Sequence, residues 1–396
     1  MRTRRGACYS PCQDGPEMRR RKRRRIGGEG SSPAAGGVDG PAGGGFGDMF
    51  EELPDDLVVS ILADVAASAR SPADLAGAML TCKRFRELGQ SRVVLARASP
   101  RCLAVRAKAW SDAAHRFLQR CADAGNIDAC YLLGMIRFYC LGSRGSGAAL
   151  MAAAAVGGHR EALYSLAVIQ FNGSGGTKDD RDLRAGAALC ARAASLGHVD
   201  ALRELGHCLQ DGYGVRRSVL DGRRLLIQAN ARELAAAVAA SASLLRAAGG
   251  KPASSRRHSC LLSDFGCHAA AKAGGEPHDA NRFLVDWFAS RPLAGAPTAA
   301  AATARSAVAS AEDELASLRL CSHALCGRPE TRRHEFRRCS VCGVVNYCSR
   351  ACQALHWKTA HKAECTPMDR WLDNAVAAAA NPNAVAGDDA MAAPAP

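Results

Sequence analysis

Ala124-Gly125-Asn126-Ile127-Asp128-Ala129, Val156-Gly157-Gly158-His159-Arg160-Glu161-Ala162 and Leu196-Gly197-His198-Val199-Asp200-Ala201 are three versions of one unit. Each has a Gly, three residues of which the last is acidic, and then Ala. Each is followed by a Leu (Leu133, Leu166, Leu205) and then by a small residue (Gly134, Ala167, Gly206). The Gly-to-Gly periods are 33 and 39 residues. Repetition at such periods marks stacked helix-turn-helix units, each burying its apolar face against its neighbours. The small residues permit close helix approach. Gly173-Ser174-Gly175-Gly176 and Gly212-Tyr213-Gly214-Val215 supply turns between units. The repeats are expected over residues 111–245, with a helix from Asp221 through Leu245 as a cap. His159 and His198 occupy one repeat position and read as turn or interhelix residues. His207 and Cys208 read as helix core.

The flanks differ in charge from this middle. Residues 1–26 carry a net +8 and residues 319–370 a net +6, which accounts for the whole formal +14. The repeats are therefore near neutral, which argues against a protein that coats nucleic acid. Aromatics make up 5% of the chain, too few for a large β-sandwich or barrel. Residues 1–47 have almost no large apolar side chains and residues 372–396 are rich in Ala, Asn and Pro, so both are expected to be disordered tails. Arg19, Arg20, Arg21, Lys22, Arg23, Arg24 and Arg25 match the pattern of a nuclear import signal, a solvated tail or a nucleic-acid contact arm being the alternatives. Nucleus and/or cytoplasm is the expected location, the nucleus being favoured by the Arg/Lys run. The start Met1-Arg2-Thr3-Arg4-Arg5-Gly6 is not followed by an apolar stretch, so no secretory signal is expected. No run of 18 strongly apolar residues suggests a membrane span.

N-terminal to the repeats, Leu53-Pro54-Asp55-Asp56-Leu57 opens a helix. Pro fits a first turn, and the two Asp favour the positive end of the helix dipole. Leu57, Val58, Ile61, Leu62 and Val65 follow at helical spacing. Ser71-Pro72-Ala73-Asp74 is a second start signal, leading to Leu75, Met79, Cys82 and Phe85. On spacing alone these form an amphipathic helix pair that could simply cap the repeats.

C-terminal to the repeats, residues 246–310 read as a helical and linker region, with a short helix at Asn281–Phe288. Seven of the eighteen cysteines then fall between Cys321 and Cys365. Cys321-x4-Cys326, Cys339-x2-Cys342, Cys348-x3-Cys352 and His361-x3-Cys365 are four close pairs, together eight soft or borderline ligands. Clustered Cys without a secretory signal reads as metal binding. Eight ligands fill two tetrahedral zinc sites and leave no position for water, which makes the sites structural. His323 lies inside the first gap as an alternative ligand, and His356 reads as a surface neighbour of Trp357. Seven thiolates around two dications contribute −3. Arg337, Arg338, Arg350, Lys358 and Lys362 are placed to offset it.

Three resemblances overlay these readings. The repeats resemble the Sel-one-like relatives of tetratricopeptide repeats. Residues 48–96, with Leu53-Pro54-Asp55-Asp56-Leu57, Ile61-Leu62 and Cys82-Lys83-Arg84-Phe85-Arg86, resemble an F-box. That implies docking on the Skp adaptor of a cullin-based ubiquitin ligase through Leu53, Pro54, Leu57, Ile61 and Leu62. Residues 321–365 resemble a MYND-type zinc finger. That implies interleaved zinc sites, Cys321/Cys326/Cys348/Cys352 and Cys339/Cys342/His361/Cys365. It also implies a Pro-containing partner peptide bound near Tyr347, Gln353 and Trp357. The assembly is similar to a plant-type F-box protein, and the expected fold class is mainly α: helical F-box, α-solenoid and a small two-zinc finger, with disordered termini. No nucleophile–base pair, P-loop or dinucleotide Gly motif is found, so a non-enzymatic adaptor is expected, recruiting an unidentified substrate protein. The alternative is a nuclear transcriptional co-regulator that tethers partners through its finger. The finger is expected to be a separate domain whose metal removal spares the repeats.

Overall fold

The computed structural model describes residues 52–247, 277–291, 293 and 318–367. The basic run Arg19–Arg25, both tails and most of 246–310 lie outside these residues.

The first five helices are α1 (Asp55–Ser68), α2 (Pro72–Leu80), α3 (Lys83–Leu88), α4 (Arg92–Ala96) and α5 (Pro100–Leu103). Each start is chemically marked. Pro54 precedes α1, and Asp55 and Asp56 sit in its first turn. The Asp74 carboxylate accepts from the N–H of Arg70 at 2.7 Å and of Ser71 at 3.2 Å at the head of α2. Cys82 Sγ accepts from Phe85 N–H at 3.4 Å at the head of α3. The two motifs of this segment meet: Arg84 pairs with Asp55 at 2.6 Å and donates to the Leu53 carbonyl. Val58, Leu62, Ala66, Leu75, Val94 and Leu95 form the interior. Leu57 and Ile61, one turn apart on α1, are 48% and 41% exposed. Leu62 is 1% exposed and lies inside the core, which corrects its assignment to a docking face. Leu53 is half-buried and Pro54 is exposed.

The repeats form three helix pairs: α6 (Asp112–Asp123) with α7 (Ile127–Tyr139), α8 (Arg144–Val156) with α9 (Arg160–Asn172), and α10 (Leu183–Ser195) with α11 (Val199–Asp211). In each turn the Gly sits in the left-handed region, with φ of 93° at Gly125, 85° at Gly158 and 89° at Gly197, where an L side chain would be strained. The next residue does two jobs. Its N–H donates back to the finished helix: Asn126 to Cys121 O, His159 to Ala154 O, His198 to Ala193 O. Its side chain then caps the helix that follows, accepting from the N–H of Ala129, Ala162 or Ala201 at 3.0 to 3.2 Å.

The repeat acid completes the joint. His159 Nε2 lies 3.2 Å from Asp128, and His198 Nε2 lies 2.8 Å from Glu161. With Nδ1 accepting, Nε2 holds the proton and donates, so each unit is keyed to the one before. Each imidazole also stacks on a tyrosine of the preceding unit, Tyr131 or Tyr164, with centroids 4.6 Å apart. Burial alone would raise Glu161, but the bond from His198 and the surrounding cations outweigh it and hold its pKa at about 2.

α12 (Val219–Ala247) lies along α11, at the end where a capping helix is expected. At the other end α13 (Asp279–Ser290) packs on α7, with Phe283 edge-on to Trp110 at 5.4 Å. Asn126 also donates to the carbonyls of Leu95, Ala96 and Ala98, which fixes the first five helices to the repeats. No helix among the described residues is long and apolar enough to cross a membrane.

Candidate metal centre

The C-terminal segment contains little regular structure. A two-residue hairpin pairs β1 (Arg337–Arg338) with β2 (Asn346–Tyr347), and α14 (Arg350–His356) follows, continuing through a π turn (Trp357–His361) into Lys362–Glu364. Short hydrogen bonds shape the cysteine loops. Cys321 N–H donates to Arg328 O and Cys326 N–H to His323 O. Gly343 N–H donates to Cys339 O, which closes the Cys339–Cys342 knuckle. Ser349 caps α14 by accepting from Cys352 N–H at 3.1 Å, and one helical turn carries Cys352 back to Cys348.

These loops assemble two groups of four: Cys321, Cys326, Cys348, Cys352, and Cys339, Cys342, His361, Cys365. Within each group all ligand atoms lie within 4.8 Å of one another. Sγ separations are 3.6 Å for Cys326–Cys348, 3.5 Å for Cys348–Cys352 and 3.9 Å for Cys339–Cys365. Cys342 Sγ is 3.6 Å from His361 Nε2. A zinc ion with Zn–S bonds of about 2.3 Å separates two tetrahedral sulfurs by about 3.8 Å, so the donor sets fit zinc. Val344 N–H and Arg328 each donate to a ligand sulfur, at 3.5 and 3.6 Å, as thiolates require. These are two structural zinc sites. The four-residue gap after Cys321 is absorbed by the loop, and His323 is not in the ligand group.

The residues expected to hold a peptide do not share an open surface. Tyr347 is 1% exposed: it lies inside the finger, with its hydroxyl 3.0 Å from His356 Nδ1. His356, half-buried like the adjacent Trp357, stacks on His361 with centroids 5.6 Å apart. Burial holds its pKa below the ordinary histidine range, helped by repulsion from His323 and His361. Gln353 lines a 240 Å³ hollow against His207 and Asp211 of α11. Trp357 is half-buried, edge-on to the His361 ring.

The finger is seated on the repeats. Glu204 of α11, buried, accepts from Ala351 N–H at 3.1 Å and so faces the positive end of α14. Burial raises its pKa. Glu233 of α12 accepts from Lys358 at 2.7 Å and from Arg203 at 3.0 Å, and Arg203 and Lys358 are themselves buried. Tyr164 donates to Ser349, Asn172 to Cys348 O, and Arg328 to Ser165. Arg350 pairs with Asp211, and Arg337 and Arg350 both lie 5.4 Å from the centre of the Tyr213 ring. Arg350 and Lys358 therefore join the finger to the repeats and do not serve mainly to offset thiolate charge. Arg328, against Cys326, has that task. From Leu53 onward the described residues belong to one compact unit, in which the finger packs on the repeats. Sequence reading missed Arg203, Glu204, Glu233 and Arg328. The one available signal was an Arg-Glu pair inside a repeat helix.

Two family models match the chain: plant tetratrico peptide repeats over residues 103–184 and the MYND finger over residues 321–365. Two F-box proteins of Arabidopsis thaliana are each 54% identical to it. One aligns over 334 residues, 82% of this chain and 83% of that protein. The other aligns over 343 residues, 87% and 90%. Among solved structures, a Sel1 repeat protein from Oxalobacter formigenes aligns over 29% of this chain and 86% of its own, at 24% identity and a TM-score of 0.27.

Proposed function

The chain belongs to the F-box proteins, and from that membership we propose that it is the substrate-recruiting adaptor of a Skp–cullin–F-box ubiquitin ligase. The observation that carries this reading is the exposed pair Leu57 and Ile61 on α1. Val58 and Leu62 of the same helix are buried, so the helix is amphipathic in both directions, with one apolar edge packed and one left to solvent. An apolar edge beside Pro54 and Leu53 suits an adaptor helix. The repeats and the seated finger then form the recruiting body, and the two zinc ions hold its shape without taking part in chemistry. Ubiquitin transfer would belong to other subunits. In this reading the Arg19–Arg25 run directs the assembly to the nucleus.

Co-purification with a Skp-family adaptor tests the proposal. The wild type should retain the adaptor, and Leu57→Glu/Ile61→Glu should lose it while zinc content stays the same. Failure of the wild type to retain any Skp-family adaptor would overturn the ligase reading and put a nuclear co-regulator, acting through the finger alone, in its place.

A further inference from the structure

A groove crosses the molecule from the first helices to the finger. It consists of two cavities, 680 Å³ and 530 Å³, that share Arg160, Glu161, Pro277 and His278. Its rim carries Arg70 and Arg101 at one end, Arg160 and Arg282 midway, and Arg232 near the finger, where Arg328 lies buried in the wall. The N-termini of α9, α11 and α13 open onto it, adding positive potential.

Its carboxylates are already engaged. Asp128 and Glu161 accept from the neutral imidazoles of His159 and His198, Glu161 also lies 3.6 Å from Arg160, Asp200 and Asp279 face Arg203 and Arg282 at 3.7 Å, and Glu233 holds Lys358. Arg101 and Arg232 are exposed and have no side-chain partner among the described residues, while Arg70, also exposed, acts on Asp74. Two buried polar atoms on the walls also lack partners: Arg328 Nε, on a residue 3% exposed, and Asn281 Oδ1. One is a donor and the other an acceptor. A bare anion would satisfy only the donor, whereas a peptide backbone offers both a carbonyl and an N–H.

We propose that this groove between the repeats, α13 and the finger binds an extended acidic segment of a partner protein. The proposal rests on the recruiting role above and names the chemistry of what is recruited. The free arginines select acidic side chains, and the unpaired donor and acceptor select main chain. The α1 edge takes no part, and the first zinc site contributes only the wall that Cys326 and Cys352 line.

The test uses the zinc-loaded full chain with Arg19–Arg25 changed to Gln, so that the basic run cannot capture the probe. The probe is a fluorescent twelve-residue peptide of alternating Glu and Gly, read by anisotropy. It should bind, its Gln-Gly counterpart should not, and Arg101→Glu/Arg232→Glu should weaken it roughly tenfold or more. Those two side chains are exposed, so unchanged zinc content and melting are expected of the variant. Equal binding of both peptides, or equal affinity of both proteins, overturns the proposal. So does displacement of the probe by inorganic phosphate or a single-stranded oligonucleotide at lower concentration than by unlabelled peptide, which would make this a small-anion or nucleic-acid groove. Peptide binding with Skp retention lost would sink the ligase reading alone; the reverse would sink the groove alone.

Discussion

At positions 126, 159 and 198 one residue closes a helix with its N–H and opens the next with its side chain. The recurrence of His at a single repeat position was legible in the sequence, and so was its place between helices. Its use as a cap was not, because which atom an imidazole offers depends on neighbours 31 and 37 residues away. Asn126 performs the same capping without the imidazole, which makes a controlled comparison available. His159→Ala should cost about 1–2 kcal/mol in urea denaturation, the usual loss for a removed cap. His159→Asn should recover most of it, since the cap is kept and only the Asp128 bond and the contact with the Tyr131 ring are then missing. If the two variants are equally destabilised, stacking on Tyr131 and not capping is what matters at this position.

Among the elements, the small residue expected after each repeat Leu does allow close helix contact. A Cβ on Gly147 of α8 would lie 2.6 Å from Phe138 N and 2.7 Å from the Gly134 carbonyl. Both are backbone atoms that cannot step aside. Gly147→Val should therefore destabilise by about 1–3 kcal/mol despite valine being the better helix former. Gly145, two residues earlier on the same helix, has nothing within 4 Å of such a Cβ. Gly145→Ala should stabilise by about 0.4–1 kcal/mol. Opposite shifts of the two urea midpoints check the assignment, and shifts of like sign would refute it. Helix existence was readable from period and turn glycines. The interlocking of Gly134 with Gly147 was only half readable, because the second glycine belongs to a helix that the repeat pattern did not mark.

On the scale of the whole molecule, the finger is seated on the repeats through buried charged groups. Arg203, Glu204, Glu233 and Lys358 are buried where the two meet. Buried charges left without their partners destabilise by about 3–5 kcal/mol. Glu233→Ala should accordingly lower the stability of α11 and of the finger at once. Metal analysis should return about two zinc per chain, and chelation should raise amide exchange in α9, α11 and α12 as well as in 321–365, because metal-site energy is here shared with the repeats. Exchange confined to 321–365 would mean that the seat contributes little.

The sequence by itself determined what depends on local spacing. A helical turn brings Cys348 and Cys352 together, a knuckle brings Cys339 and Cys342 together, and a Gly every 33 or 39 residues turns the chain between helices. It could not decide which side of an element meets another element. Leu62 points inward while Ile61 points outward, and Tyr347 is buried inside the finger. Lys358, which reads as a surface cation, is held by a glutamate 125 residues earlier. Those outcomes follow from packing across long sequence separations, where burial and charge pairing are settled only once the repeats have formed the surface on which the finger sits.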